Sequence, residues 1–506
     1  MIRFFTRKRP AVQPVQPVRK IVQRNSFAAA KADRLTAGWT GISNSMDSVV
    51  RLTLTRIRAR SRQLAADNDY AKRFLSLCRT NVVGSEGIRV QVRAVERDGP
   101  DGVVYDDRAN RVIEAQWKEW GRKKHCTVDG RLSWIDVKQL IVETVAKDGE
   151  VFVRKIRGKE AGNPFAFALQ LIEGDHVDEN YNDTLQNGHK IRMGIEFNKW
   201  NRPVAYHVLT KHPGDSFASA TNRTHYERIP AEQVIHLYTS ERVSQSRGVP
   251  WMFSAMRRLK MLGVYEENEL VAAGVAASKM GFFTSEDGQG YTGTDKDEDG
   301  NLLTEAEPGL FEQLPAGVKF ESWDPQHPTT SFAFFIKAML RGAASGLSVS
   351  YNTLGNDGEG VNFSSLRHFA LEEREHWKRL QTWLIEHLCD DVFESWLLMG
   401  LTTQKIPLPL SKFEKFNAPI WRPRGWRWVD PLKEMKAYVE AINAGLMSAQ
   451  DVASELGMDI EEVYAQLAHE QKLREKYGVT LGAPDVKGMQ MILDAEAQAN
   501  ADQSQA

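Results

Sequence analysis

Two acids separated by one residue, Asp148 and Glu150 in Lys147-Asp-Gly-Glu150, precede an apolar run, Val151-Phe-Val-Arg-Lys-Ile156. Carboxylates so placed could hold a divalent cation for a metal-dependent nucleic-acid enzyme. The Asp-Gly step better suits a tight turn entering a strand. A second acidic run, Asp295-Lys-Asp297-Glu298-Asp299-Gly300, matches the first six positions of a helix-loop-helix calcium loop, with Leu302 at its apolar position. Its twelfth position is Ala306, so the bidentate ligand is missing, although Glu305 and Glu307 flank it. Residues 288–293 cannot supply an entering helix, and the run reads as a solvated acidic loop. His368, His376 and His387 lie near one long helix at spacings that make no metal pair. Cys78, Cys126 and Cys389 are far apart and form no CxxC pair, which predicts neutral buried thiols in a reducing compartment. No phosphate-binding GxxxxGK[ST], HExxH or GxSxG motif occurs. The sequence therefore predicts no catalytic residue, no metal and no cofactor.

A chain of 506 residues is too long for one compact core. Its 42% hydrophobic and 26% charged residues are ordinary for a globular protein. Lys plus Arg number 66 and Asp plus Glu number 66, a balance that argues against simple coating of nucleic acid but leaves room for a channel through which it slides. Met1 to Pro10 lacks the apolar stretch of a secretory signal, and Leu270 to Phe283 is too short to span a bilayer. The expectation is a cytosolic product or a virion component, with no membrane.

Residues 1–24 are basic, acid-free and interrupted by prolines, and read as a flexible arm. Asp47 to Val83 has helical periodicity, with a cap or turn at Asn68-Asp69 and an end at Gly84 and Gly87. Ile88 to Arg93 alternates like a strand. Arg108 to Gly121 and Trp134 to Lys147 read as helices, and residues 151–156, 165–172, 191–197, 203–209 and 234–237 as strands. Residues 85–240 thus predict a mixed domain. Pro250 suits the first turn of a helix to Ala277. Residues 285–301 read as a surface loop, 311–323 as short strand pieces, and 331–343 as a helix. Residues 345–362, rich in Gly, Asn and Ser, read as a mobile loop. Residues 364–399 predict a helical rod of roughly 54 Å. Pro431 to Ala444, closed by Gly445, leads to a helix opened by Ser448 with Asp451 and to a last one opened by Asp459 with Glu462, stopping at Gly478. Residues 479–506 predict disorder.

Several segments, in this order, resemble the lambda-type family of tailed-phage portal proteins from about Asn25 to Gly478. They are Arg60-Ser-Arg-Gln-Leu-Ala-Ala-Asp-Asn-Asp-Tyr-Ala71 with Asn81-Val-Val-Gly84, then Asp148-Gly-Glu-Val-Phe-Val-Arg154, then Arg247-Gly-Val-Pro-Trp251. After the 345–362 segment come Asn362-Phe-Ser-Ser-Leu-Arg367, Trp421-Arg-Pro-Arg-Gly-Trp-Arg-Trp-Val-Asp-Pro-Leu-Lys-Glu434 and Gly445-Leu-Met-Ser448.

The resemblance implies an α+β, predominantly helical, portal-type ring subunit with wing, stem, clip and crown regions. It would be one member of a homo-oligomeric ring, usually of twelve, at one capsid vertex, through which double-stranded DNA enters and leaves. Mapped onto this chain, 1–25 would be a basic arm, 26–245 the wing, 246–278 the first stem helix and 279–328 the clip. Then 329–344 would be the second stem helix, 345–362 the tunnel loop, 363–400 the long wing helix, 401–430 a connection, 431–478 the crown and 479–506 a tail. The implied partners are the terminase large subunit, a head-completion or neck protein, and the major capsid and scaffold proteins. The acids Asp295, Asp297, Glu298 and Asp299 would lie in the docking clip.

A DNA channel must not grip phosphate, because a ring multiplies each contact. The 345–362 segment suits this. Asn352, Asn356 and Asn362 are polar and neutral, Asp357 and Glu359 would repel phosphate, and Gly355, Gly358 and Gly360 would give mobility. Lys337 and Arg341, four apart, share a helix face and could make a weak basic ring for DNA, or else serve in inter-subunit ion pairs or stand in solvent. A closed ring needs two different patches per subunit, for which the 13 tryptophans are candidates. The competing readings are another oligomeric virion protein, such as a capsid or tail subunit, and the metal-dependent enzyme above.

Overall fold

Helix α1 (Met46–Asp67) begins where the Ser45 hydroxyl accepts the Ser48 N–H, and it stops at Asn68. The Asn68 side chain accepts the Ala71 N–H and starts α2 (Asp69–Cys78), so the expected Asn68-Asp69 break is a cap shared by two helices. A π turn over Arg79–Val83 leads to Gly84, which leaves helical space at φ 77°. The computed structural model describes residues 43–99, 102–215, 225–277, 281–285, 318–322, 332–359, 362–426, 431–456 and 458–478. The expected basic arm, the 295–300 acidic run and the 479–506 tail lie outside them.

Strand β1 (Arg89–Val92) is followed by a hairpin of β2 (Val95–Gly99) and β3 (Gly102–Tyr105) that periodicity did not predict. Asp106 caps α3 (Asp107–Trp120). After the one-turn α4 (Lys123–Cys126), a capping box of Ser133 and Asp136 opens α5 (Trp134–Asp148), and Gly149, at φ 95°, closes it. Strand β4 (Glu150–Arg157) follows at once. It is the centre of an antiparallel sheet, with β5 (Phe167–Glu173) on one side and β11 (Val234–Tyr238) on the other. Between them in sequence, β6 (Asp183–Thr184), β7 (Lys190–Arg192), β8 (Ile195–Phe197), β9 (Pro203–Leu209) and β10 (Tyr226–Pro230) form an antiparallel meander. The strand expected over 191–197 is therefore two strands, turned at Met193 and Gly194, both at positive φ. Phe152, Ile172, Val177, Ile195, Phe197 and Tyr206 form one core cluster joining the two sheets.

Helix α6 (Met256–Ala277) starts later than Pro250. The Trp251 N–H donates to the Ala146 carbonyl at 3.0 Å and its indole to Thr239 Oγ1 at 2.8 Å, which holds residues 251–255 in turns. Strands β12 (Gly281–Ser285) and β13 (Val318–Ser322) pair antiparallel. Helix α7 (Phe332–Leu347) runs past its expected end because Ala343, Ala344 and Leu347 are buried. Ser350 then caps α8 (Tyr351–Gly355), so the segment expected as a mobile loop is partly helical. Helix α9 (Phe363–Leu384) continues through a π turn, Ile385–Cys389, into α10 (Asp390–Thr402). After α11 (Phe413–Phe416), β14 (Pro419–Arg422) pairs with the distant β1. Helices α12 (Pro431–Asn443), α13 (Ala449–Glu455, with the Ser448–Asp451 box) and α14 (Ile460–Tyr477, closed by Gly478) follow. No helix among the described residues is long and apolar enough to cross a membrane.

The main core gathers α2, α3, α5, β4, β5, α9 and α10. At its centre Trp117 meets Trp120 and Trp396 at ring distances of 4.9 Å each and Phe393 at 5.3 Å. The Trp120 indole donates to the Phe167 carbonyl at 2.9 Å. Trp200 is 79% exposed, whereas Trp117, Trp120, Trp134, Trp377 and Trp396 are all buried, so these five of the 13 tryptophans pack inside the chain. These large rings fill the space where three helices cross a narrow sheet. The three cysteines are buried and free. Burial pushes all three thiols up, that of Cys389 to about 12, so they stay neutral.

The α5–β4 corner and the approach to α6 touch backbone to backbone. A Cβ on Gly149 would lie 2.5 Å from the Val249 carbonyl carbon, and one on Gly248 would lie 2.1 Å from the Gly149 oxygen. Gly149→Ala should cost about 2–4 kcal/mol in urea unfolding, from positive φ and the clash together. Gly130→Ala, at similar φ with nothing within 4 Å, should cost about 1 kcal/mol.

Candidate functional site

Glu150, the first residue of β4, is fully buried and serves three elements at once. Arg247 brings Nε to within 2.8 and 2.9 Å of its two oxygens and Nη2 to 2.6 Å of Oε1. The remaining Arg247 donors bind the Val177, Met193 and Gly174 carbonyls at 2.7–2.9 Å. From α1, Arg58 donates to Glu150 Oε1 at 2.8 Å and to the Asp148 carbonyl at 3.2 Å. The Gly248 N–H and His236 Nε2 each stand 3.0 Å from Glu150 Oε2. One helical turn beyond Arg58, Arg62 grips both oxygens of Asp148 at 2.9 and 3.0 Å and reaches Asp175 at 2.5 Å. The two acids that could have formed a metal pair are thus sealed among guanidinium groups. They support the turn reading and add a purpose: they tie the chain's parts together.

Burial alone would raise the Glu150 pKa. The nearby charge of Arg247, the His236 hydrogen bond and the charge of Arg58 outweigh it and hold the carboxyl far below its usual range. Burial depresses the His236 pKa despite the adjacent carboxylate, so the ring is neutral and donates through Nε2–H. A nearby group, Glu173, Asp175 and His212, has oxygens and nitrogen close enough for an ion. The Gly214 N–H, however, donates to His212 Nδ1 at 3.0 Å. In the neutral ring Nε2 therefore carries the proton and points a donor at Glu173 and Asp175, 3.4 and 3.9 Å away. Arg62 supplies the cation there.

The residues predicted to line a channel sit on α7, on α8 and the turn that follows it, and at the N-cap of α9. Lys337 Nζ lies 3.2 Å from Asp357 and 3.1 Å from Glu359. The Tyr351 hydroxyl donates to Asp357 at 2.6 Å, and the Arg341 guanidinium lies 5.4 Å over the Tyr351 ring. Hydrogen bonds from Tyr351, the Glu359 N–H and Lys337 hold the Asp357 carboxyl down to about 2. Lys337, Arg341, Asn352, Asp357 and Glu359 line one cleft of about 840 Å³, with Glu372, Glu373 and His376 opposite. Desolvation pushes the His376 pKa down. Asn356 and Asn362 do not line the cleft. Asn356 takes the left-handed conformation that ends α8, and Asn362 caps α9 through the Ser365 N–H at 2.8 Å. The acids Asp295, Asp297, Glu298 and Asp299 lie outside the described residues.

Sequence reasoning missed Glu373, whose carboxylate accepts from the Ser350 N–H, Thr353 Oγ1 and the Trp377 indole, each at 3.1 Å. It also missed Arg58 and His236 as partners of Glu150. The one available signal was the i, i+4 spacing of Arg58 and Arg62, which puts both on one face of α1.

The family described as phage portal protein, lambda family, matches residues 32–381. A probable portal protein of Halomonas phage phiHAP-1 is 36% identical over 473 residues, 92% of this chain and 90% of that one. Portal protein B of Escherichia phage lambda is 24% identical over 486 residues, 87% of this chain and 88% of that one. A solved chain from the neck of an empty gene transfer agent particle is similar over 84% of this chain and 97% of its own, with TM-score 0.43 and 12% identity.

Glu150→Gln should destabilise the chain by about 3–5 kcal/mol in denaturant unfolding, because it strands buried guanidinium charge. The pH dependence follows from both depressed pKa values. The stability due to neutral His236 is complete above roughly pH 6.5 and is lost below it as the unfolded ring takes up a proton. The contribution of Glu150 is complete above roughly pH 4.5 and is lost as pH falls further. Melting followed from pH 9 to pH 3 should be flat at first and then decline in two stages.

Proposed function

The chain belongs to the lambda family of phage portal proteins, and from that premise we propose how its parts divide the work of a portal. Copies of the chain close into a ring, of twelve members on the family pattern, at one vertex of the capsid. Residues 26–245 form the wing. Helices α6 and α7 form the stem, and the segment 279–328, with the β12–β13 pair, forms the clip that docks the terminase large subunit and later the neck protein. The stretch 345–362 faces the duplex, α9 and α10 run across the wing, and α12–α14 make the crown. Major capsid and scaffold proteins surround the ring. The protein is a structural conduit that catalyses no reaction, a reading supported by the engagement of Asp148 and Glu150 with arginines.

One observation carries the ring assignment. Helices α6 and α7 are antiparallel neighbours. Ser254, just before α6, bonds the Gly346 carbonyl late in α7 at 2.8 Å, and Tyr265 in mid-α6 packs on Phe332 and Phe335 at the start of α7. Their outer surfaces carry exposed apolar side chains among charged ones such as Arg257, Lys260 and Glu267. Leu270 is 75% exposed and Phe334 79%, with Met261, Val264 and Val271 also in solvent. A lone chain would leave this surface in water, whereas head-to-tail neighbours around a closed ring would cover it.

Native mass spectrometry of the purified chain should give one dominant ring mass. Phe334→Asp and Leu270→Asp should shift that mass toward monomer, because each would bury an unpaired charge at every repeat of the contact. Both side chains are largely exposed within one chain, so unfolding of the monomeric species should change by less than about 1 kcal/mol. A wild-type chain that stays monomeric at all concentrations overturns the assignment.

A further inference from the structure

Building on the channel reading above, we infer that Lys337 is a DNA-phosphate site that the chain keeps closed with its own acids, Asp357 and Glu359 holding the ammonium that a backbone phosphate would take. Sequence reasoning treats these two acids as repellents facing the duplex. In the structure they are counterions to Lys337, the lysine of this cleft.

The arrangement is suited to exchange. An ammonium has three donors and no fixed geometry, so it can pass from carboxylate to phosphate without reorganising. The two acids are held unequally. Glu359 is 84% exposed and, among the described residues, its carboxylate bonds Lys337 alone, whereas Asp357 is 19% exposed and also accepts from Tyr351 and from the Glu359 N–H. A phosphate would therefore displace Glu359 first and share the ammonium with Asp357, making a contact that is weak and easily released.

The parts around the exchange are pinned. Glu373 holds the N-terminus of α8 through Ser350 and Thr353, and Arg73 Nε on α2 donates to the Thr353 carbonyl at 3.3 Å. Only the 356–359 turn needs to give way. Two cations, Lys337 and Arg341, face four carboxylates in the cleft, those of Asp357, Glu359, Glu372 and Glu373. The resting surface is acidic overall, and its cation becomes available only to an anion that competes at close range. Multiplied around a ring, this keeps phosphate affinity low at every position of the duplex.

The test is binding of a 30-base-pair duplex to the full-length protein, followed by fluorescence anisotropy across a salt series. Asp357→Asn with Glu359→Gln should tighten binding at least tenfold at low salt and steepen its salt dependence. Adding Lys337→Gln should return both to wild-type behaviour. If the tighter binding survives loss of Lys337, the acids act as simple repellents and the inference is wrong. If the Asp357→Asn/Glu359→Gln variant binds like wild type, it is wrong as well.

Ring mass is measured for every variant, so a failure to assemble is charged to the ring reading. The closed site can also be read without DNA. Lys337→Gln alone should raise deuterium uptake across residues 351–359 in either monomer or ring, and unchanged uptake overturns it.

Discussion

The fold turns on a buried carboxylate that cannot be left alone. Glu150 sits where α5 has just ended and β4 begins, and without its cations it would be one of the most costly groups in the interior. Its partners come from α1, from β11 and from the segment that leads into α6. Arg247 in turn collects carbonyls from the turns around Gly174, Val177 and Met193. A guanidinium with five donors in a fixed fork suits such a junction, because each bond constrains a different piece of backbone. The glycines on either side let the chains come close enough for the Gly248 N–H to reach the same carboxylate. The direction in which α6 leaves the α+β body is thereby set by side chains far apart in sequence.

Much of this architecture was legible because it is written locally. Apolar spacing and caps located α1, α3, α5 and the three C-terminal helices. The Ser448–Asp451 box and Gly478 stand where the sequence put them. The parts that were not legible lack a local signature. Strand β2 reads Val-Glu-Arg-Asp-Gly with no alternating apolar face. Strand β14 is a strand because β1, more than three hundred residues earlier, offers it a partner. The 345–362 stretch shows how composition misleads. Its asparagines looked like flexible polar filler, yet Asn356 and Asn362 end one helix and begin the next.

The candidate site was legible in its residue types but not in its pairings. The spacing of Lys337 and Arg341 was visible, as was the acidity of 357–359. That these two features face each other could be known only once α7 and α8 folded back on one another. The same holds for Asp148, Glu150 and Arg247. Their motifs stood out as separate landmarks, and nothing in their spacing joined them until the fold brought them to hydrogen-bond distance.

The two ionic clusters use similar groups to opposite ends, and the difference is solvent. Glu150 is fully buried, arginines supply several bonds each, and breaking any pair exposes an uncompensated charge. Such a cluster is a fixed joint. Around Lys337, one partner is almost wholly in water and the cation is a flexible lysine, so each bond is weak and replaceable. A conduit for a charged polymer needs both. Its walls must keep their shape under repeated contact, and the surface that meets the polymer must be able to let go. Exchanging the two cations in principle, with an arginine fork at position 337 and a lysine in the core, would reverse those properties. On the proposed reading, the Lys337 cleft would then hold phosphate bidentately, and the joint would lose the carbonyl contacts that orient α6.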